Sequence, residues 1–156
     1  MTPMPQPGVN PLVPKILGYS GLLPMLACLG GIWIWPHLTD QLAHIAAIYV
    51  GVIFSFLGGI QWGIAVQADA TSKPNACATL RLIVGVIPAL VTACALVIPV
   101  FYGGTLLIFS LWLLLGFEWR YREKLALPRW YIPLRINLTI LLSGSLVSVL
   151  WLAAQY

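Results

Sequence analysis

Five polar side chains embedded in apolar surroundings are the residues best suited to chemistry in this sequence. They combine one carboxylate, two guanidinium groups and two amides, and they are Gln61, Arg81, Glu118, Arg135 and Asn137. A carboxylate pairs with guanidinium groups, and amides both donate and accept hydrogen bonds. Such a cluster forms either a structural lock between helices or a binding site for a small polar ligand. We favour the lock and keep the binding site as the alternative.

Other residue patterns that carry chemistry are missing from the sequence. Cys28, Cys77 and Cys94 stand singly, without the spacing of a zinc or iron–sulfur site. His37 and His44 flank the start of an apolar run and fit surface positions better than haem ligation. No nucleophile–base pair or phosphate-binding loop is present. We therefore expect no enzyme activity, no catalytic residue, no cofactor and no metal.

Composition determines the class of elements that must position the polar residues. Of 156 residues, 60% are hydrophobic and 8% are charged, whereas soluble domains have about 25% charged residues. The apolar runs are long enough for membrane-spanning helices, which satisfy their own backbone hydrogen bonds in lipid. The sequence therefore predicts an all-α membrane protein, a single five-helix bundle over residues 15–156 after a proline-rich flexible segment, 1–14. The predicted spans are 15–35, 41–67, 76–98, 105–121 and 131–153.

Prolines and glycines predict irregularities between and within these spans. Pro24 lies inside the first span, where a kink is expected. Pro99 with Gly103 and Gly104 predicts a tight turn before the fourth span.

The basic residues predict the orientation of the bundle. With five spans, all eight Lys and Arg residues fall on the side of the N-terminus. The positive-inside rule then places the N-terminus in the cytoplasm and the C-terminus in the periplasm or outside. We predict a multi-pass protein of the bacterial inner membrane, with the mitochondrial inner membrane as the alternative.

Small residues line the second predicted span and indicate close helix packing. Gly59 with Gly63, and Gly51 with Ser55, are small residues four apart, and Gly58 adjoins them. Such pairs let two helices approach to backbone contact. A partly unwound segment lining a cavity is the alternative.

Basic residues in the loop before the last span predict contact with lipid headgroups. Each cation beside a span attracts anionic headgroups by about 1 kcal/mol, and the residues concerned are Arg120, Arg122, Lys124 and Arg129. No basic surface beyond the headgroups is apparent, so nucleic-acid binding is not expected.

One stretch resembles a known family. Residues 49–63, YVGVIFSFLGGIQWG, are similar to the core of the DUF3429, or transmembrane protein 69-like, family of small polytopic membrane proteins. LGYSGLLP near the N-terminus, Arg81 through Pro88, and LPRWYIPLR before the last span extend the resemblance. The family's pattern often has histidine where this chain has Gln61. The exchange disfavours a role that requires imidazole there, such as metal or haem ligation, whereas a hydrogen-bonding role survives it. The resemblance implies no particular activity.

Two functions remain after these exclusions. The first is a membrane protein that acts by association, as an accessory or assembly subunit of a larger complex, possibly respiratory. Its basis is the lack of ionisable residues at the predicted midplane, where pumps and transporters usually need them, and the small-residue helix faces. The alternative is a small transporter, or a protein that binds lipid or a small molecule at a polar cluster open to the cytoplasm. A redox subunit is disfavoured by the histidine placement.

Overall fold

The computed structural model describes residues 12–69, 76–122 and 130–155, and every regular element among them is helical. The helices are α1 (Leu12–Ser20), α2 (Leu23–Ile34), α3 (Thr39–Asp69), α4 (Ala76–Val97), α5 (Val100–Arg120) and α6 (Tyr131–Ala153), with a 3-10 turn at Pro36–Leu38. Five segments are long and apolar enough to cross a membrane, α1 and α2 together forming the first. The predicted all-α class and the number of spans are thus confirmed.

The first span breaks at Gly21 and Leu22, between α1 and α2. Pro24 has no N–H and its ring crowds the carbonyl four residues earlier, at Ser20, which is where α1 ends. The Tyr49 hydroxyl on α3 donates a hydrogen bond to the Gly21 carbonyl at 2.5 Å. The helix starts at Leu12, so the last three residues of the segment predicted to be flexible are helical, and residues 1–11 lie outside the described chain.

The turn between α4 and α5 is shorter than the sequence predicted. Gly103 and Gly104 are buried inside α5, which begins at Val100 rather than at residue 105. Pro99, with φ −52° and ψ 138°, lies immediately before the helix. A Cβ on Gly103 would collide with the Ala95 carbonyl of α4. These glycines therefore allow α5 to pack closely against its neighbours and do not form the turn.

Helix α3 is the central element of the bundle, because it contacts α2, α4, α5 and α6. It supplies Ala43, Ala46, Val50 and Phe54 to the buried core, which Met25, Leu107, Leu111 and Leu146 complete from the other helices. Of these α3 residues, Ala43 and Ala46 are small and leave room for larger residues of the neighbouring helices in a close-packed core.

The most extensive contact between two helices is that of α3 with α4, and glycines on both helices make it possible. A Cβ on Gly58 would collide with the Gly85 carbonyl, and one on Gly51 would come within 2.6 Å of Thr92 Cγ2. Polar groups tie the same interface. Thr92 Oγ1 donates to the Gly51 carbonyl at 3.0 Å and accepts from Ser55 Oγ at 3.1 Å. Trp62 Nε1 donates to the Leu82 carbonyl at 2.9 Å.

The predicted close packing at Gly59 and Gly63 is not found within the described chain. An added Cβ at either position would meet no atom of another described helix within 4 Å. Each residue turns a helix by 100°, so Gly59 leaves the face that carries Gly58. Gly59 and Gly63 lie instead on an uncovered face, the α3 stripe, formed by exposed residues spaced three or four apart: Ile45, Ile48, Val52, Phe56, Gly59, Gly63 and Val66.

Candidate functional site

A buried carboxylate, Glu118 in the last turn of α5, is the centre of the polar cluster. Its side chain is completely buried. Oε2 accepts a hydrogen bond from Arg135 Nε at 3.1 Å, which also makes an ion pair. Oε1 accepts from Gln61 Nε2 at 3.0 Å and from the Tyr131 hydroxyl at 3.3 Å. A carboxylate away from water needs such donors, and here two neighbouring helices, α3 and α6, supply them.

Arg135 connects the carboxylate to the interior of α6. Nη1 donates to Thr139 Oγ1 at 2.9 Å, one turn deeper on the same helix. The hydroxyl of Ser143, a further turn along, donates to the Thr139 carbonyl at 2.6 Å. The three residues follow at intervals of four, which places them on one face. Arg135 is 4% exposed and Thr139 is fully buried.

The helix directions explain why these residues meet. Gln61 lies toward the C-terminal end of α3 and Glu118 at the C-terminal end of α5, whereas Arg135 lies near the start of α6. Alternating spans bring these three ends to the same side of the bundle. The structure thus brings together three of the five residues proposed from sequence.

The cluster also contains two residues that the sequence reasoning missed, Tyr131 and Thr139. Both are four residues from Arg135 on α6, one before it and one after it. Helical spacing from Arg135 was the available signal, because residues four apart share a helix face.

Asn137 does not belong to the cluster. Its side chain is exposed and its Nδ2 donates to the Tyr19 hydroxyl of α1 at 3.2 Å. Two residues along a helix correspond to a turn of about 200°, so Asn137 and Arg135 point to different neighbours. The prediction that Asn137 joins the cluster is wrong for this reason.

Arg81, near the start of α4, is buried at 4% exposure. No hydrogen bond or ion pair between Arg81 and Glu118 is found among the described residues, and the ion pair of Glu118 is with Arg135.

Four buried polar atoms have no hydrogen-bond partner within the described chain. They are Gln61 Oε1, Arg135 Nη2, and the Nε and Nη2 of Arg81. Three of the four are donors on cations, one on Arg135 within the cluster and two on Arg81. The side chain of Arg135, which carries one of these unpaired donors, also lines a groove on the bundle.

That groove lies between α1, α3 and α6 and has a volume of about 350 Å³. Apart from Tyr131 and Arg135 its lining is apolar, with Leu17, Ile60 and Leu138 as representative contacts from the three helices. We call it the α1/α6 groove. Its size falls at the small end of ligand pockets, which run from about 300 to 1,000 Å³.

The predicted headgroup-binding arginines are only partly within the described chain. Arg120 and Arg122 are exposed, and Arg122 Cζ lies 4.5 Å from the centre of the Trp119 ring. Arg120 Cζ lies 6.0 Å from the Tyr121 ring centre. Lys124 and Arg129 lie outside the described residues. Within the described ranges, no group of three His, Cys, Asp or Glu side chains could hold a metal ion.

Comparison with known families accounts for nearly the whole chain. The family described as protein of unknown function (DUF3429) matches residues 10–151. This chain belongs to the DUF3429 family. The match includes four spans of this DUF3429 protein completely, all but the last two residues of the fifth, and the cluster residues Gln61, Glu118 and Arg135. The resemblance noted in the sequence is thereby confirmed.

A relative of this DUF3429 protein is Transmembrane protein 69 of Xenopus tropicalis. The two are 29% identical over 146 residues, which cover 90% of this chain and 54% of the relative. The chain therefore spans about half the length of that relative. No solved structure matches this chain. The family match and the five spans together identify a multi-pass membrane protein of this family.

Proposed function

We propose that this DUF3429 protein is a non-enzymatic membrane protein that acts by association, as an accessory or assembly subunit of a larger membrane complex. The α3 stripe is the observation that carries the proposal. It runs along the longest helix of the described bundle and contains Gly59 and Gly63 with open space before them. A helix from another protein can approach such glycines to backbone contact, where dispersion forces hold membrane helices together.

The polar cluster supports the same proposal in the role of a structural lock. Gln61 and Glu118 are 1% and 0% exposed, and the donors around Glu118 bind it from within the bundle. A transporter site open to the cytoplasm needs side chains that water and cargo can reach. The buried geometry therefore favours association over the alternative of a small transporter.

We further propose that the N-terminus faces the cytoplasm and the C-terminus the periplasm, in a bacterial inner membrane. A mitochondrial inner membrane, with the N-terminus in the matrix, is the alternative. Five spans with every Lys and Arg on one side support this orientation. Anionic lipid headgroups on that side are then partners of Arg120 and Arg122, whose exposed cations lie beside interfacial aromatic rings.

Purification from the native membrane with a gentle detergent, followed by native gel and mass spectrometry, tests the association. We expect a stoichiometric membrane partner to co-purify with the unmodified chain. The variant Gly59→Leu with Gly63→Leu should lose that partner, because leucine side chains keep the helices apart.

The matched control carries Gly30→Leu with Gly144→Leu, at two glycines that also have open space before them but lie on α2 and α6. This variant should keep the partner. A stable monomer without any co-purifying protein would contradict the proposal, and so would equal partner loss in both variants.

A further inference from the structure

The α1/α6 groove combines an apolar lining with one buried cation whose hydrogen-bonding capacity is not used up. Arg135 donates hydrogen bonds from Nε to Glu118 and from Nη1 to Thr139. Its Nη2 has no hydrogen-bond partner in the described chain. A buried donor without an acceptor is costly, by about 1–3 kcal/mol or more for a charged group. An occupant of the groove that accepts a hydrogen bond from Arg135 would remove this cost.

The position of the groove indicates how far it extends into the membrane. Pro14 and Trp130 line one end, at the starts of α1 and α6, and Leu138 lines it two turns deeper. Eight residues of helix from 130 to 138 correspond to a depth of about 12 Å. One leaflet of the hydrocarbon core is about 15 Å thick. The groove therefore follows the direction of the lipid chains through most of one leaflet.

The charges at the mouth of the groove select among lipids. Lys15 is exposed and adjoins Pro14 at this end of α1. Glu118, the carboxylate nearest Arg135, is already shared between Arg135, Gln61 and Tyr131. The cations near this end are thus Lys15 at the mouth and Arg135 about 7.5 Å deeper along α6. Arginine binds phosphate oxygens strongly.

We propose that the α1/α6 groove binds a single anionic phospholipid of the leaflet next to α1's N-terminus. One acyl chain lies along the apolar lining, and a headgroup oxygen accepts a hydrogen bond from Arg135. Because the groove volume of about 350 Å³ is at the small end for a ligand site, we assign one chain to it and leave the second chain among the bulk lipids. This binding is separate from the association proposed above, and either can fail without the other.

Native mass spectrometry of the full chain, stripped of lipid in detergent and then given defined lipids, tests the proposal. We expect one phosphatidylglycerol to stay bound at collision energies that remove phosphatidylcholine, with a preference of at least fivefold. Equal retention of the two phospholipids would overturn the proposed preference for an anionic headgroup. Displacement of phosphatidylglycerol by equimolar oleate would overturn the proposal that the occupant is a phospholipid and would identify a fatty acid site instead.

A matched pair of variants locates the lipid. Leu17 lines the groove and Leu26 does not, and both are exposed leucines of the first span, at 68% and 57%. Leu17→Trp should lower phosphatidylglycerol retention at least fivefold by filling the groove, whereas Leu26→Trp should match the unmodified chain. Equal retention in both variants would show that the lipid binds elsewhere and would overturn the groove assignment.

Arg135→Lys separates the headgroup contact from the acyl chain contact. Lysine keeps a cation to pair with Glu118 but has a single nitrogen, so it cannot serve the carboxylate, Thr139 and a lipid with the same geometry. We expect the preference for phosphatidylglycerol over phosphatidylcholine to fall to less than twofold, while a groove-bound lipid is still retained. An unchanged preference would overturn the role of Arg135.

Discussion

At the scale of single residues, Glu118 is the group on which the largest number of buried polar contacts converge. Arg135 neutralises its charge, and Gln61 and Tyr131 supply neutral donors from α3 and α6. The consequences of removing one partner are unequal. Without Glu118, a buried guanidinium loses its counter-ion, whereas without Gln61 the ion pair survives.

We predict that Glu118→Leu destabilises the bundle far more than Gln61→Leu. An uncompensated buried charge costs about 3–5 kcal/mol, and a lost interhelical hydrogen bond in a membrane protein costs about 0.6–2 kcal/mol. The double variant Glu118→Leu with Arg135→Met should recover most of the loss, because an apolar pair needs no compensation. Thermal unfolding in detergent, followed by tryptophan fluorescence, measures all three.

The double variant also distinguishes a structural lock from a functional site. If the cluster only locks the helices, the recovered protein should keep its membrane partner in the co-purification assay. Recovery of stability without recovery of the partner would show that the charges themselves take part in function.

At the scale of helices, two adjacent glycines of α3 have opposite surroundings. Gly58 contacts the Gly85 carbonyl and Pro88 of α4, whereas Gly59 faces open space. We predict that Gly58→Ala lowers the melting temperature by separating α3 from α4. Gly59→Ala should leave it unchanged or raise it slightly, since alanine favours a helix over glycine by about 1 kcal/mol.

Melting curves of the two alanine variants in detergent provide the comparison, with each serving as the control of the other. Equal destabilisation by both would show that a general loss of glycine flexibility, and not the α3–α4 contact, is responsible. Stability unaffected by Gly58→Ala would contradict the close approach itself.

Most helix bounds could be predicted from sequence, because hydropathy and prolines determine them. The last span, 131–153, agrees with α6, and the span predicted at 76–98 ends one residue beyond α4. The start of α5 was misjudged because Gly103 and Gly104 signal a turn and a close helix contact equally well. Local sequence cannot separate the two, since the deciding atom is the Ala95 carbonyl of another helix.

For the candidate site, the sequence predicts how deep each residue lies in the membrane but not which way its side chain points. Gln61, Glu118 and Arg135 share one side of the bundle because alternating spans require it. Which residues meet depends on the rotation of each helix about its axis, which sequence does not supply. Asn137 has the right depth but faces Tyr19 on α1. The same uncertainty in rotation hid the difference between Gly58 and Gly59.

At the scale of the whole molecule, we predict that positions before and after the last span label from opposite sides of the membrane. In a variant lacking Cys28, Cys77 and Cys94, Gln155→Cys should react with a membrane-impermeant maleimide in intact spheroplasts. Arg122→Cys should react only after permeabilisation, since the basic side is expected inside. The reverse pattern, or labelling of both from outside, would contradict the proposed orientation.

The length of α3 affects how the molecule fits its bilayer. Its 31 residues extend over about 46 Å at 1.5 Å per residue, whereas a hydrocarbon core is about 30 Å thick. Even at a tilt of about 40°, the upper end of the observed range, the helix covers about 35 Å along the membrane normal. Bilayers of different organelles span about 27–33 Å. Helix α3 therefore reaches both headgroup layers throughout this range, and hydrophobic mismatch falls on its shorter neighbours, such as the 21-residue α5.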